Sequence, residues 1–160
     1  MPLNASRLST FGENDMEREI HRSLQALPDF GVFDYLAYTV NGSTVVLYGK
    51  VMNPDLRTTA CALAGAALGV AGVVNKITLL PNSPSDNRIR LAVLGAIYGD
   101  PALQRYALAV TGGAIHILVE SGRVTLEGEV ETLSDARRVV ERVERVQGVV
   151  SISNHLVIDN

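Results

Sequence analysis

The residues capable of chemistry are few and scattered. Three histidines, His21, His116 and His155, fall in different elements, and none stands at the HxxxH or HxxE spacing that would aim two metal ligands from one helix face. The single cysteine, Cys61, excludes an intramolecular disulfide and a CxxC metal site. It lies inside the uncharged run TTACALAGAALGVAGVV (58–74), where a small thiol reads as a buried hydrophobe and not as a nucleophile. No GxSxG, P-loop or post-strand GxGxxG is present. Gly65, Gly69 and Gly72 read as lying within a helix, away from the helix start where a phosphate would bind. No set of groups meets the geometric requirements of a catalytic site, so the chain is expected to be no enzyme and to need no metal or cofactor.

Two groups could bind rather than catalyse. In SDARRVVERVERVQG (134–148), Ala136, Val139, Val140, Val143 and Val146 form one apolar helix face. Arg138, Arg142 and Arg145 line up opposite. They read either as a solvated face with local pairs such as Glu141 with Arg145, or as a contact for anionic lipid headgroups. Each basic residue near such a surface contributes only about 1 kcal/mol, so three would bind weakly and reversibly. The second group belongs to the uncharged run. On a helical projection Leu56, Leu63 and Val70, flanked by Ala60 and Ala67, face their own sheet, and Cys61, Ala62, Gly65 and Gly69 face away. Small residues at i and i+4 let another backbone approach closely. The cover could be the other half of the chain or the same helix of a second subunit, an apolar surface such as lipid, or a ligand in a pocket between the halves. A bilayer span is excluded, because Ala60 to Val74 falls short of the roughly 20 apolar residues needed. Phe30, Phe33, Tyr35 and Tyr38 cluster ahead of a strand, either as core or as an exposed apolar contact.

The elements that position these groups are duplicated. STVVLYGKV (43–51) matches GRVTLEGEV (122–130), and AGVVNKITLL (71–80) matches QGVVSISNHLVI (147–158) in the same order. Met16, Ile20, Leu24 and Leu27 make a one-face helical stripe with Asn14 or Asp15 as cap. Ile89, Val93 and Ile97 repeat it with Ser85 or Asp86 as cap. Pro28 and Asp100-Pro101 stop the two helices. Val124, Leu126 and Val130 alternate with Thr125, Glu127, Glu129 and Glu131, a strand with one wet face. Gly49 and Gly128 interrupt the inward face, which points to a bulge or to a closely packed helix. Asn41-Gly42 and Ser121-Gly122 read as hairpin turns. The fold class is α+β: two αββαβ modules, each a three-stranded mixed sheet with two helices packed on one face. The expected layout is a tail at 1–13, modules at 14–81 and 88–160, and a connector at 82–87.

With 47% apolar and 19% charged residues in 160, the chain has the composition of a folded protein, and its net charge of −3 argues against nucleic acid as a partner. The start, MPLNASRLSTFGENDMER, lacks a basic region followed by an apolar core. The chain is therefore expected either to be cytoplasmic or to have had a leader removed.

The duplicated Val-x-Leu-x-Gly-x-Val segments (45–51 and 124–130), with Gly72-Val73-Val74-Asn75 and Gly148-Val149-Val150 plus Asn154, resemble the tandem BON-domain proteins of the bacterial OsmY and nodulation family. That resemblance implies an αββαβ fold and a non-catalytic role under osmotic or envelope stress, in the periplasm or envelope if a leader was removed. The partner it implies is a phospholipid surface bound peripherally, or a hydrophobic envelope protein. The alternative is a self-associating structural or adaptor protein, a homo-oligomer built on the apolar helix 58–72. One departure stands out. Gly49 to Gly72 spans 23 positions against 20 from Gly128 to Gly148, almost one extra helical turn in the first module.

Overall fold

The structure, a computed structural model, describes residues 15–108 and 114–159. The expected tail at 1–13 and the candidate cap Asn14 lie outside the described residues. The chain divides into two compact units. One holds the residues up to Phe30 together with Tyr35–Leu79, and the other holds Gly31–Asp34 and Leu80–Asn160.

In the first unit α1 (Asp15–Gln25) precedes the hairpin β1 (Tyr35–Asn41) and β2 (Thr44–Val51), then α2 (Pro54–Ala66) and β3 (Gly72–Leu79). The sheet order is β1-β2-β3, antiparallel then parallel. Period-two alternation turns Leu36, Tyr38, Val45, Leu47, Val51 and Ile77 to one side, where Ile20 and Leu24 of α1 and Leu56, Ala60 and Ala64 of α2 close the core. Asn53 caps α2 by accepting from the Asp55 amide at 2.9 Å, and Pro54 opens it.

The second unit repeats the order with α3 (Pro84–Tyr98), β4 (Ile115–Glu120), β5 (Arg123–Val130), α4 (Leu133–Glu144), β6 (Ser151–Asn154) and β7 (Val157–Ile158). Its last strand is broken in two: β6 and β7 both pair parallel with β5, on either side of His155 and Leu156. The cap of α3 is Ser83, whose hydroxyl accepts from the Asp86 amide at 3.1 Å, and not Ser85 or Asp86. Pro84 fits the first helical position, where a missing N–H costs nothing, so the helix begins within the stretch read from sequence as a connector. A 3₁₀ helix, Pro101–Leu108, follows α3 and buries Leu103 and Tyr106; the sequence pattern did not reveal it.

Register corrects the alignment of the halves. Leu47 pairs with Asn75 and Leu126 with Asn154, so the two asparagines are equivalent, and the two Gly-Val-Val runs are not. Gly148 matches Gly69, and both adopt left-handed backbone (φ +99° and +96°) in the turn after the second helix. Gly49 to Gly69 is then 20 positions, as in the second unit, and the first module carries no extra helical turn. The apolar run is therefore not one helix: α2 ends at Ala66, Gly69 lies in a turn, and Gly72 starts β3. The sheet-facing stripe of α2 is Leu56, Ala60 and Ala64, continued by the C-cap residue Ala67, with Leu63 and, beyond the helix, Val70 half-buried.

Gly49 and Gly128 are explained by backbone, with no helix involved. A Cβ on Gly49 would lie 2.0 Å from the Tyr35 carbonyl oxygen, and one on Gly128 would lie 2.0 Å from that of Ala114. Both residues also sit at positive φ (+135° and +126°). The first hairpin turns on Gly42 and Ser43, one residue later than Asn41-Gly42, while Ser121 and Gly122 form the second turn as expected, both at positive φ.

Candidate functional site

The structure brings two of the three stripe arginines together on one partner. Arg142 Nε lies 3.0 Å, and Arg138 Nη1 3.3 Å, from the same oxygen of Asp100, which with Gly99 joins α3 to the 3₁₀ helix. Asp100 is buried, and its other oxygen accepts from the Ala102 amide at 3.0 Å. That amide holds the carboxyl below its usual range; burial pushes the other way, and the two guanidinium groups reinforce the lowering. Arg145 is the C-cap residue of α4 and is exposed. The three side chains therefore do not act as one free row: two join α4 to the end of α3.

Two further polar clusters escaped the sequence reading. Asp86 accepts from the amides of Ser121 (2.9 Å) and Gly122 (3.0 Å), so one carboxylate pins the β4–β5 turn to the start of α3. Burial pushes its pKa up, but these amides, the Ser83 hydroxyl and the Arg90 charge together hold it below the usual range. Arg90, only 2% exposed, reaches Asn87 Oδ1 (2.6 Å) and the carbonyls of Pro81 (2.9 Å) and Val119 (2.7 Å). In the second cluster the Tyr106 hydroxyl donates to Asp135 (2.6 Å) and accepts from the Glu131 amide (2.9 Å). Arg105 pairs with Asp135 and stacks its guanidinium 4.6 Å from the Tyr106 ring centre. The i,i+4 spacing of Asp86 and Arg90 was the signal for the first cluster, and it is common on any helix surface; Arg105 and Asp135 stand thirty positions apart on different elements and left no such signal.

In the first unit the outward side of α2 is exposed at Ala62 and Gly65, with Cys61 half-buried. Gly69 is exposed too, but in the turn beyond the helix. The sister positions on α4 are Glu141 and Glu144 for Ala62 and Gly65, and Val140 for Cys61. Leu68, 84% exposed, extends the uncharged surface, and a shallow cleft of about 490 Å³ runs from Pro54 past Cys61 to Asn75 on the sheet edge. Asn75 ties edge to helix: its Oδ1 accepts from the Ile77 amide (3.1 Å) and its Nδ2 donates to the Arg57 carbonyl (3.1 Å). Asn154 repeats the first bond with the Leu156 amide (3.0 Å). Among the described residues no helix is long and apolar enough to cross a membrane.

A family model described as BON domain matches residues 12–81 and again 85–160. No curated protein matches. Among solved structures, similarity extends to CdsD, a structural protein of the Type III secretion system of Chlamydia trachomatis, at 13% identity and TM-score 0.36, covering 91% of this chain and 93% of that one. The C-terminal domain of CdsD is similar at 13% identity and TM-score 0.32, covering 92% of this chain and 99% of that one.

Proposed function

The chain belongs to the BON-domain family, and from that premise we propose that it is a non-catalytic envelope protein that works by protein association through the outward face of α2. The family suggests an envelope or phospholipid-related role, and its members are generally non-catalytic. The observation that carries the finer reading is the contrast between sister helices. Where α4 presents Glu141 and Glu144 to solvent, α2 presents Ala62 and Gly65 beside the exposed Leu68. An uncharged, small-residue helix face leaves little hydration to displace and permits close backbone approach. The arginine stripe supports lipid headgroup binding less well, because Asp100 already engages Arg138 and Arg142. Placement in the periplasm or at the envelope surface is part of the same proposal.

Sedimentation velocity tests the reading directly. The wild-type chain is expected to associate with rising concentration, and the Ala62→Glu/Gly65→Glu variant, which copies the sister helix, to stay monomeric with an unchanged far-ultraviolet spectrum. A wild-type monomer at every concentration, together with flotation on phosphatidylglycerol vesicles that the double substitution leaves intact, would overturn it in favour of a lipid contact elsewhere.

A further inference from the structure

A groove of about 850 Å³ lies wholly within the second unit, between the start of α3 and the turn after α4. Ile89, Ala92, Val146 and Val150 supply apolar lining, and Val150 is 75% exposed. Arg88 stands exposed at the rim, near the positive end of α3. Asp86 also lines the groove, but its two oxygens are taken by the Ser121 and Gly122 amides and its charge is met by Arg90.

The duplicated first unit shows what fills the equivalent space. Met16 and Ile89 are counterparts, because a Cβ on Gly69 would lie 3.6 Å from the Met16 sulfur and one on Gly148 would lie 3.4 Å from Ile89. Three residues further along each helix, Glu19 matches Ala92; one residue back, Asp15 matches Arg88. The Glu19 carboxylate reaches across and accepts from the Leu68 amide at 3.4 Å. Leu68 matches Gln147, which lines the open groove. The second unit thus lacks the carboxylate that the first supplies to itself, and the charge at its rim is reversed.

We infer that this groove takes the missing carboxylate from outside, as an acidic side chain on an extended segment of a partner protein. The carboxylate meets Arg88 and the Gln147 amide, and flanking apolar side chains lie on Ile89, Val146 and Val150. The site is separate from the α2 face and stands whether or not that face associates.

Nitrogen-15 NMR titration of the full chain with acetyl-Leu-Glu-Leu-amide tests it. Saturable shifts are expected at Arg88, Gln147 and Gly148, with the Leu-Gln-Leu peptide at least about tenfold weaker. Ala92→Glu, which installs the first unit's carboxylate, should abolish the shifts while the rest of the spectrum is retained. Arg88→Gln should weaken binding about threefold or more, and it decides alone if Ala92→Glu disturbs the fold. Absence of saturable shifts, equal response to the two peptides, or binding unaffected by these substitutions overturns the inference. So does displacement of the peptide by equimolar inorganic phosphate or by phosphatidylglycerol vesicles, which would assign the groove to a phosphate headgroup.

Discussion

At position 128 a single methyl group decides whether the hairpin can close. Gly128→Ala would place carbon 2.0 Å from the Ala114 carbonyl oxygen at φ +126°, so steric overlap and backbone strain act together. The expected loss is at least about 3 kcal/mol in urea denaturation. Gly95→Ala should have the opposite sign. Gly95 lies inside α3, and a Cβ there would meet nothing within 4 Å. Reduced backbone freedom in the unfolded chain should stabilise that variant by about 0.5–1 kcal/mol in the same assay. The sequence marks Gly128 as a glycine interrupting a strand face and Gly95 as a glycine within a helix, and the distance to the Ala114 carbonyl just ahead of β4 fixes the sign at position 128. Buried charges were hidden for a similar reason. Asp100 stood out only as part of a helix stop, whereas its partners Arg138 and Arg142 lie about forty positions away.

At the scale of elements, the duplicated Val-x-Leu-x-Gly-x-Val pattern and the helical stripes were legible, because burial on one face enforces their periods of 2 and 3.6. The end of α2 was not. An uninterrupted apolar run satisfies a helix and the strand after it equally well, and only the left-handed turn at Gly69 divides them. Identical Gly-Val-Val triplets then suggested a register three residues out, where the equivalence of Asn75 and Asn154 sets the true one. Asn75 satisfies an amide on the outer strand of its sheet and grips the first turn of α2. Asn75→Ala should therefore cost about 1–2 kcal/mol by chemical denaturation. It should also hasten aggregation on heating, since an outer strand with a freed N–H is a template for further pairing. Unchanged stability with unchanged light scattering would count against that role.

Acid response belongs to the whole molecule. His116 in β4 is buried, and burial pushes its pKa below the ordinary value, against opposing hydrogen bonds to the backbone at Gly31 and Asp34. As pH falls, the unfolded chain takes up the proton first. The contribution of this histidine is therefore present above about pH 6.5 and is lost as pH drops through the folded value. Asp86, Asp100 and Asp135 are all held low; at Asp135 burial pushes the pKa up, and the Tyr106 and Thr132 hydroxyls and Arg105 together outweigh it. Their contribution is present above about pH 4 and is lost as pH falls through their folded values. The urea midpoint should be flat from about pH 7 to about pH 9 and decline in two stages at lower pH, and His116→Gln should remove the first of these stages alone.

The tetrapeptide Gly31–Asp34 precedes β1 in sequence but belongs to the second unit, where the Ile117 amide donates to the Val32 carbonyl at 2.8 Å along the outer side of β4. In a chain shortened to residues 80–160 that amide should exchange with solvent at least about tenfold faster than in the intact protein. Duplication ordinarily lets genes trade whole modules, because each copy carries everything it needs. Here one copy keeps a piece of its structure inside the reading frame of the other, so recombination at the repeat boundary would separate parts that fold as one. A rearrangement that carried off residues 80–160 alone would leave Gly31–Asp34 behind with the first unit.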